Sequence, residues 1–145
     1  MRIAIAGDHG GFELKLEIVQ LLEELQLEFK DFGTHSSESV DYPEYAFEIG
    51  QEVVKGNFTH GILICGTGVG ISIAANKVKG VRCALVHDVF TARATREHND
   101  SNVLAMGGRV IGVELAKEIV RTWLSTDFIG KHHVARVEKI KEYED

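Results

Sequence analysis

The chain has 145 residues, of which 44% are hydrophobic and 26% charged, a balance typical of one globular domain with a hydrophobic core. A net charge of −6 argues against nucleic acid as a partner, and no apolar run is long enough to cross a membrane. The two cysteines, Cys65 and Cys83, are too few for a secreted disulfide framework and lack zinc-ligand spacing. The first residues enter an apolar strand without a signal-peptide pattern, so we expect a cytoplasmic protein.

Strand and helix patterns alternate along the chain. The predicted strands lie at residues 2–6, 27–32, 62–64, 81–86 and 103–106. Helices are predicted at about residues 12–25, 43–56, 89–98 and 112–124, with another after the glycine-rich turn that follows the third strand. This order predicts a single domain over residues 1–145, an α/β fold with a doubly wound, five-stranded parallel sheet in a three-layer αβα sandwich. A C-terminal helix at about residues 131–143 has few apolar residues, so we expect its apolar side to pack on a partner subunit.

The glycine-rich turn after the third strand is the first candidate for a functional site. It carries Gly66, Gly68 and Gly70, which allow the backbone to bend and to approach a ligand closely. The N–H groups of such a turn, at the start of a helix, bind a phosphate or an oxyanion. Cys65 precedes the turn, at a position that favours the thiolate. The alternative is a tight structural turn with Cys65 as a small buried residue.

Two familiar nucleotide-binding motifs do not fit this turn. The dinucleotide fingerprint needs a third glycine where Ile71 stands, and it follows the first strand of a fold rather than the third. The Walker phosphate loop needs Gly-Lys-Ser/Thr, a triplet that is absent from this chain.

Further polar residues collect where strands and helices are predicted to end. They are Asp8, His9, Cys65, Thr67, His98, Asn99 and Arg109, with His132, His133 and Arg136 near the C-terminus. The carboxyl ends of parallel strands form the ligand-binding edge of an open α/β sheet, so Asp8 and His9 are site candidates. Cationic side chains beside an anion-binding turn indicate a phosphorylated substrate. We expect the remaining histidines, namely His35, His60 and His87, to be structural.

A cysteine beside an anion hole, with a histidine available, suits two chemistries. One is proton abstraction α to a carbonyl, and the other is acyl transfer with Cys65 as nucleophile. The second is less favoured because no Asp or Glu is evidently placed to orient His98. A non-catalytic module that binds a phosphorylated ligand on the same scaffold also remains open.

Several segments together resemble the ribose-5-phosphate isomerase B family, which includes galactose-6-phosphate and allose-6-phosphate isomerases. The segments lie at residues 7–9, 41–43, 61–70, 74–77, 98–99, 102–103 and 108–112, so the match covers nearly the whole chain. The resemblance implies a Rossmann-like fold and an aldose–ketose isomerase that needs no cofactor and no metal. It also implies a homodimer with sites built from both subunits, and a tetramer is left open. The expected substrate is ribose 5-phosphate, with a six-carbon aldose phosphate as the alternative.

By the same resemblance, Cys65 is the base that moves a proton between C1 and C2, and Thr67 assists proton handling at the substrate oxygens. His98 opens the furanose ring. The enediolate is held by backbone amides of the turn, which are those of Gly66, Thr67, Gly68, Val69 and Gly70.

The resemblance also assigns the substrate-binding residues. Asp8 and Asn99 bind the sugar, while His9, Arg109 and Arg136 surround the phosphate. His98, Asn99 and Arg109 are expected from the neighbouring subunit.

One position departs from the family pattern. The chain has Lys131-His132-His133 where the family carries Gly-Arg-His, so His132 stands in place of a phosphate-binding arginine. A neutral imidazole binds phosphate less strongly than a guanidinium group. We therefore expect phosphate affinity to be lower than in relatives with the arginine.

Overall fold

The computed structural model describes residues 1–145, and its strands and helices alternate as the sequence predicts. The strands are β1 (Arg2–Gly7), β2 (Glu28–Asp31), β3 (His60–Cys65), β4 (Cys83–Leu85) and β5 (Val103–Gly107). The helices are α1 (Phe12–Glu24), α2 (Tyr42–Val54), α3 (Val69–Ala75), α4 (Val89–Asn99), α5 (Val113–Leu124) and α6 (His133–Tyr143).

All five strands form one parallel sheet in the order β2-β1-β3-β5-β4. Helices α1, α4 and α5 contribute to the core on one face, and α2 and α3 contribute to the core on the other. The doubly wound, three-layer α/β fold is therefore confirmed. Because the strands are parallel, the turns that follow β1, β3, β4 and β5 all lie at the same edge of the sheet, called here the carboxyl edge.

Alternation along β1 explains why the sheet is covered on both faces. Ile3 and Ile5 pack with α1 and α5, whereas Ala4 and Ala6 face α2 and α3, and all four are fully buried. The small alanine side chains let the second helical layer approach the sheet closely. A strand buried on both faces reads as a continuous apolar run, which is the pattern seen in the sequence.

Side chains complete the backbone hydrogen bonding at the β4 edge of the sheet. The side chain of Asn76 accepts a hydrogen bond from the Cys83 N–H at 2.8 Å and donates one to the Cys83 carbonyl at 2.9 Å. The Arg82 N–H donates to the side-chain oxygen of Asn102 at 2.7 Å. The strand β4 itself spans only Cys83–Leu85, shorter than the predicted residues 81–86.

Helix α6 packs on α4 of its own chain through His133 and Val137, its two buried residues. Its C-terminal end is held by Glu144, whose carboxylate accepts a hydrogen bond from the Gly80 N–H at 3.0 Å. Val134, Ile140 and Tyr143 remain exposed, so packing of this helix on a partner subunit stays a prediction. No helix of the chain has the length and apolar character needed to cross a membrane.

Candidate active site

Cys65 ends β3 at the carboxyl edge and is almost completely buried, with 4% of its surface exposed. Its Sγ accepts a hydrogen bond from the backbone N–H of Gly68 at 3.1 Å. Gly68 has φ +77°, a left-handed conformation that glycine adopts at little cost. A Cβ at this position would lie 2.8 Å from the backbone carbon of Met106, so the turn also needs glycine for space. The hydrogen bond places a backbone donor on the sulfur atom at the mouth of the turn.

The turn leaves several backbone N–H groups available. Those of Gly66, Thr67 and Gly70 donate to no acceptor within the chain, whereas the Val69 N–H donates to the Thr67 side-chain oxygen at 3.2 Å. Thr67 itself is exposed. N–H groups without an internal acceptor beside a sulfur atom can bind an oxyanion that forms next to it.

Asp8 lies at the same edge, in the turn after β1. Its Oδ1 accepts hydrogen bonds from the N–H groups of Gly10 at 2.9 Å and Gly11 at 3.2 Å, and the residue is 7% exposed. A Cβ on Gly10 would lie 2.9 Å from the Gly66 nitrogen, so the turns after β1 and β3 are in direct contact. Asp8 thus both closes its own turn and lies next to the turn of Cys65.

His9 and Arg109 line one cavity of about 240 Å³ at this edge. Arg109 was expected from a neighbouring subunit, but its Nη1 lies 3.3 Å from the position that a Cβ on Gly66 of the same chain would take. Its N–H also donates to the Gly66 carbonyl at 3.0 Å. Within one chain, Arg109 therefore lies beside the turn that follows Cys65, and its role at the phosphate stays a prediction. The cavity thus brings a guanidinium and an imidazole together, and the acidic Glu13 also lines it.

Two residues at this edge were not identified from the sequence. The ring of Tyr42 lies against Gly70, where a Cβ would come within 2.5 Å of its Cζ atom. The Nε2 of His87, expected to be structural, accepts a hydrogen bond from the Gly107 N–H at 3.0 Å, just before Arg109. His87 therefore supports the turn that carries Arg109. Neither contact could be identified from sequence spacing, since each joins elements far apart in the chain.

His98 and Asn99 lie at the opposite edge of the sheet. They end α4, an eleven-residue helix that spans about 16 Å and returns the chain from the carboxyl edge to the start of β5. Asn102, which follows them, accepts a hydrogen bond from Gly61, at the beginning of β3. His98 and Asn99 are both exposed. Within one chain, they are thus separated from Cys65 by the length of the sheet.

The C-terminal candidates lie near His98. The ring of His98 stacks on that of His133 with centroids 4.4 Å apart, and His132 contacts His133 at 4.0 Å. Arg136 is exposed on the next turn of α6. Burial, followed by the nearby His132, His98 and Arg136, lowers the pKa of His133. The chain therefore presents two groups of candidate residues, one at each edge of its sheet.

The other cysteine and histidines have different surroundings. Burial raises the pKa of Cys83 to about 12, so its thiol stays protonated at neutral pH. His60 packs edge-on against Trp123 at 5.2 Å, and His35 is exposed. No three side chains among the His, Cys, Asp and Glu residues are grouped as metal ligands.

Comparison with known proteins identifies the family. The model of the Ribose/Galactose Isomerase family matches residues 3–140. This chain belongs to that family. It is 52% identical to Ribose-5-phosphate isomerase B of Escherichia coli, over 99% of this chain and 96% of the relative. The structure of Ribose-5-Phosphate Isomerase B from Clostridium thermocellum superimposes with a TM-score of 0.98 at 52% identity, covering 99% of this chain and 97% of the other.

A further solved structure is that of Ribose-5-phosphate Isomerase B from Mycoplasma genitalium with bound Ribulose-5-phosphate. It has a TM-score of 0.95 at 41% identity and covers 99% of this chain and 95% of the other. The resemblance inferred from the sequence is thus confirmed, and the chain is an isomerase. The non-catalytic module and the cysteine hydrolase are not supported by these comparisons.

Proposed function

We propose that this isomerase interconverts ribose 5-phosphate and ribulose 5-phosphate through an enediolate, with Cys65 as the base. The observation that carries the proposal is the hydrogen bond from the Gly68 N–H to Cys65 Sγ at 3.1 Å, beside backbone N–H groups without an acceptor. The names of the relatives from Escherichia coli and Clostridium thermocellum support a pentose phosphate as substrate.

The proton transfer needs a base and a site for negative charge next to each other. Cys65 takes the proton from C2 of the open-chain aldose, and the electrons of that C–H bond form the C1–C2 double bond while O1 becomes negative. We assign stabilisation of this charge to the N–H groups of Gly66, Thr67 and Gly70, which have no acceptor within the chain. The Thr67 hydroxyl then assists proton transfer between O2 and O1, and return of the carbon-bound proton to C1 completes the ketose.

The phosphate is assigned to His9 and Arg109, which line the same cavity, with His132 and Arg136 contributed from α6 of another subunit. Guanidinium groups bind phosphate through paired N–H donors, and a neutral imidazole supplies one. Asp8 has its other carboxylate oxygen available for a sugar hydroxyl, since the hydrogen bonds from Gly10 and Gly11 both go to Oδ1.

The two-edge arrangement supports a homodimer. His98 and Asn99 are exposed at the edge of the sheet opposite Cys65. They lie at the far end of α4, a helix that spans about 16 Å. A second copy, placed with its α4 terminus against the carboxyl edge of the first, would bring His98 to the sugar ring and Asn99 to its hydroxyls. His98 would then open the furanose, which has no free carbonyl to isomerise. The same arrangement of the second copy would bring its His132 and Arg136 to the site together with Asn99.

Turnover on two sugar phosphates tests this proposal. Ribose 5-phosphate and allose 6-phosphate are assayed with wild type, Cys65→Ala and Cys83→Ala. A general base contributes about 10²- to 10⁴-fold, so Cys65→Ala should lower kcat by that factor while Cys83→Ala should not. Undiminished turnover in Cys65→Ala contradicts the assignment of the base. A higher kcat/KM for allose 6-phosphate would instead favour a six-carbon substrate. This alternative stays open because the matching family is the Ribose/Galactose Isomerase family.

A further inference from the structure

Three imidazole rings are in contact where α4 meets α6. The rings of His98 and His133 are nearly parallel, with an interplanar angle of 15° and a centroid distance of 4.4 Å. The ring of His132 contacts that of His133, with a centroid distance of 4.0 Å and an interplanar angle of 40°. His133 is 8% exposed, whereas His98 and His132 are exposed. The middle ring of the three is therefore the fixed one.

We propose that His133 is a positioning residue, whose buried ring holds the imidazole of His98 in the orientation needed for opening the sugar ring. This inference rests on the proposed function, which assigns ring opening to His98. It adds a role for a residue that contacts neither the turn of Cys65 nor the cavity between His9 and Arg109.

Ring opening depends on the direction of the His98 ring. In this step the C1–O4 bond breaks, the electron pair of the O1–H bond forms the carbonyl, and O4 gains a proton. One group must therefore reach O1 or O4 at hydrogen-bond distance. His98 is the penultimate residue of α4, is exposed, and makes no hydrogen bond through its side chain within the chain. The stack on His133 is the contact that restricts its ring.

Backbone hydrogen bonds hold the loop before α6 against the end of α4. The Ile129 N–H donates to the Glu97 carbonyl at 3.1 Å, so the loop before α6 is attached to the last turn of α4. The His133 N–H donates to the Gly130 carbonyl at 3.0 Å, which closes the turn from which α6 starts. These bonds attach the start of α6 to the end of α4, so main-chain contacts hold the backbone of His133 near that of His98.

The charge state of His133 suits this role. Burial lowers its pKa, and the neighbouring His132, His98 and Arg136 lower it further, so the ring is neutral at neutral pH. A neutral ring does not repel His98 when that residue takes up a proton from the substrate. A protonated ring at the same place would oppose this step.

A matched pair of variants tests the inference: His133→Phe retains a flat ring at this position, and His133→Leu replaces it with an apolar side chain without a ring. Both are compared in a Cys65→Ala background, where isomerisation is switched off and ring opening remains. Exchange between the two furanose anomers of ribose 5-phosphate is measured by ¹³C exchange NMR, with His98→Asn as the negative control. Lys139→Ala, an exposed change on α6, serves as the positive control.

We expect His133→Phe to keep the anomer exchange and His133→Leu to lower it about 10- to 100-fold, as misplacement of a catalytic group by about 1 Å does. The ring-current shift of the His98 protons should persist in the first variant and vanish in the second. The inference is overturned if His133→Leu loses that shift but exchanges anomers as fast as His133→Phe. If His98→Asn still exchanges them, the assignment of His98 in the proposed function fails, and the inference fails with it.

Discussion

The backbone N–H of Val40 donates a hydrogen bond to Nδ1 of His9 at 3.2 Å. An imidazole nitrogen that accepts a hydrogen bond carries no proton, so the neutral ring bears its proton on Nε2. The loop between β2 and α2 thereby leaves Nε2 as the hydrogen-bond donor of His9, which lines a cavity together with Arg109. The phosphate assignment of His9 depends on this tautomer.

Substitution by the two amide residues tests the tautomer. The side-chain NH₂ of glutamine can reach the place of Nε2, whereas asparagine places its amide near Nδ1. We therefore expect His9→Gln to raise KM for ribose 5-phosphate only slightly, and His9→Asn to raise it about 10- to 100-fold, the loss of a hydrogen bond to a charged group. Steady-state kinetics give the KM of both variants, and the difference between the two values tests the tautomer. An equal rise in KM would contradict the tautomer assignment.

Gly68 and Gly56 form a matched pair for testing the conformation of the turn that follows Cys65. Both have positive φ, +77° and +81°, but a Cβ on Gly56 meets nothing within 4 Å, whereas one on Gly68 meets Met106 and Leu85 below 3 Å. Gly56→Ala should cost about 1–2 kcal/mol of unfolding free energy from backbone strain alone. Gly68→Ala should cost more and also abolish turnover, because the N–H that contacts Cys65 Sγ moves. Urea unfolding and kcat together check this, and similar losses for both variants would argue against it.

The two thiols should differ in reactivity. Cys83 stays protonated because burial raises its pKa to about 12, whereas Cys65 Sγ accepts a hydrogen bond from the Gly68 N–H in the proposed site. Iodoacetamide at neutral pH should label Cys65 first and inactivate the enzyme, and ribose 5-phosphate should slow that labelling. Mass spectrometry of peptides identifies the labelled residue, with Cys83→Ala as the control. Equal labelling of the two thiols would count against Cys65 as the base.

His60 should make the protein less stable in acid. Burial, with Arg96 next in effect, lowers its pKa from 6.5 to about 4. The unfolded chain thus binds a proton below pH 6.5 that the folded chain does not bind until about pH 4, so the free energy of unfolding falls as pH drops through this window and is full above it. His60→Phe keeps an aromatic ring against Trp123 but removes the titration, and its stability should depend less on pH. An unchanged pH dependence in urea unfolding would refute this origin.

His132 provides a gain-of-function test. It is exposed next to the stacked pair, and Lys131 precedes it with φ +52°. His132→Arg restores the guanidinium expected from the family pattern and should lower KM for ribose 5-phosphate, with kcat little changed. His132→Lys supplies charge without the paired donors and should lower KM less. An unchanged or raised KM in the arginine variant would exclude His132 from the phosphate site.

The sequence predicts what depends on local pattern. The five strands, the glycine turn and the position of Cys65 at its start follow from periodicity and glycine spacing, and all are found in the structure. What depends on distant side chains was not predicted. Examples are the contact of Asn102 with the Arg82 N–H and the contact of Arg109 with Gly66.

The contacts of Tyr42 with Gly70 and of His87 with Gly107 are missing from the sequence prediction for the same reason. The first contact joins the starts of α2 and α3, and the second joins the turn after β4 to the end of β5. The order of the strands in the sheet brings these positions together. A single sequence carries no signal for such a pair, because either residue alone is compatible with a structural role.

The pairing of Asn76 with Cys83 bears on how copies of this protein can meet. An open sheet edge offers its N–H and C=O groups to any passing strand, which is a route to aggregation. At the β4 edge, one amide side chain occupies both groups of Cys83, the first residue of the strand. Growth of the sheet by an added strand is thereby hindered at this edge. Association between copies along β4 is left to side chains, whose shape and charge can select one partner arrangement over others.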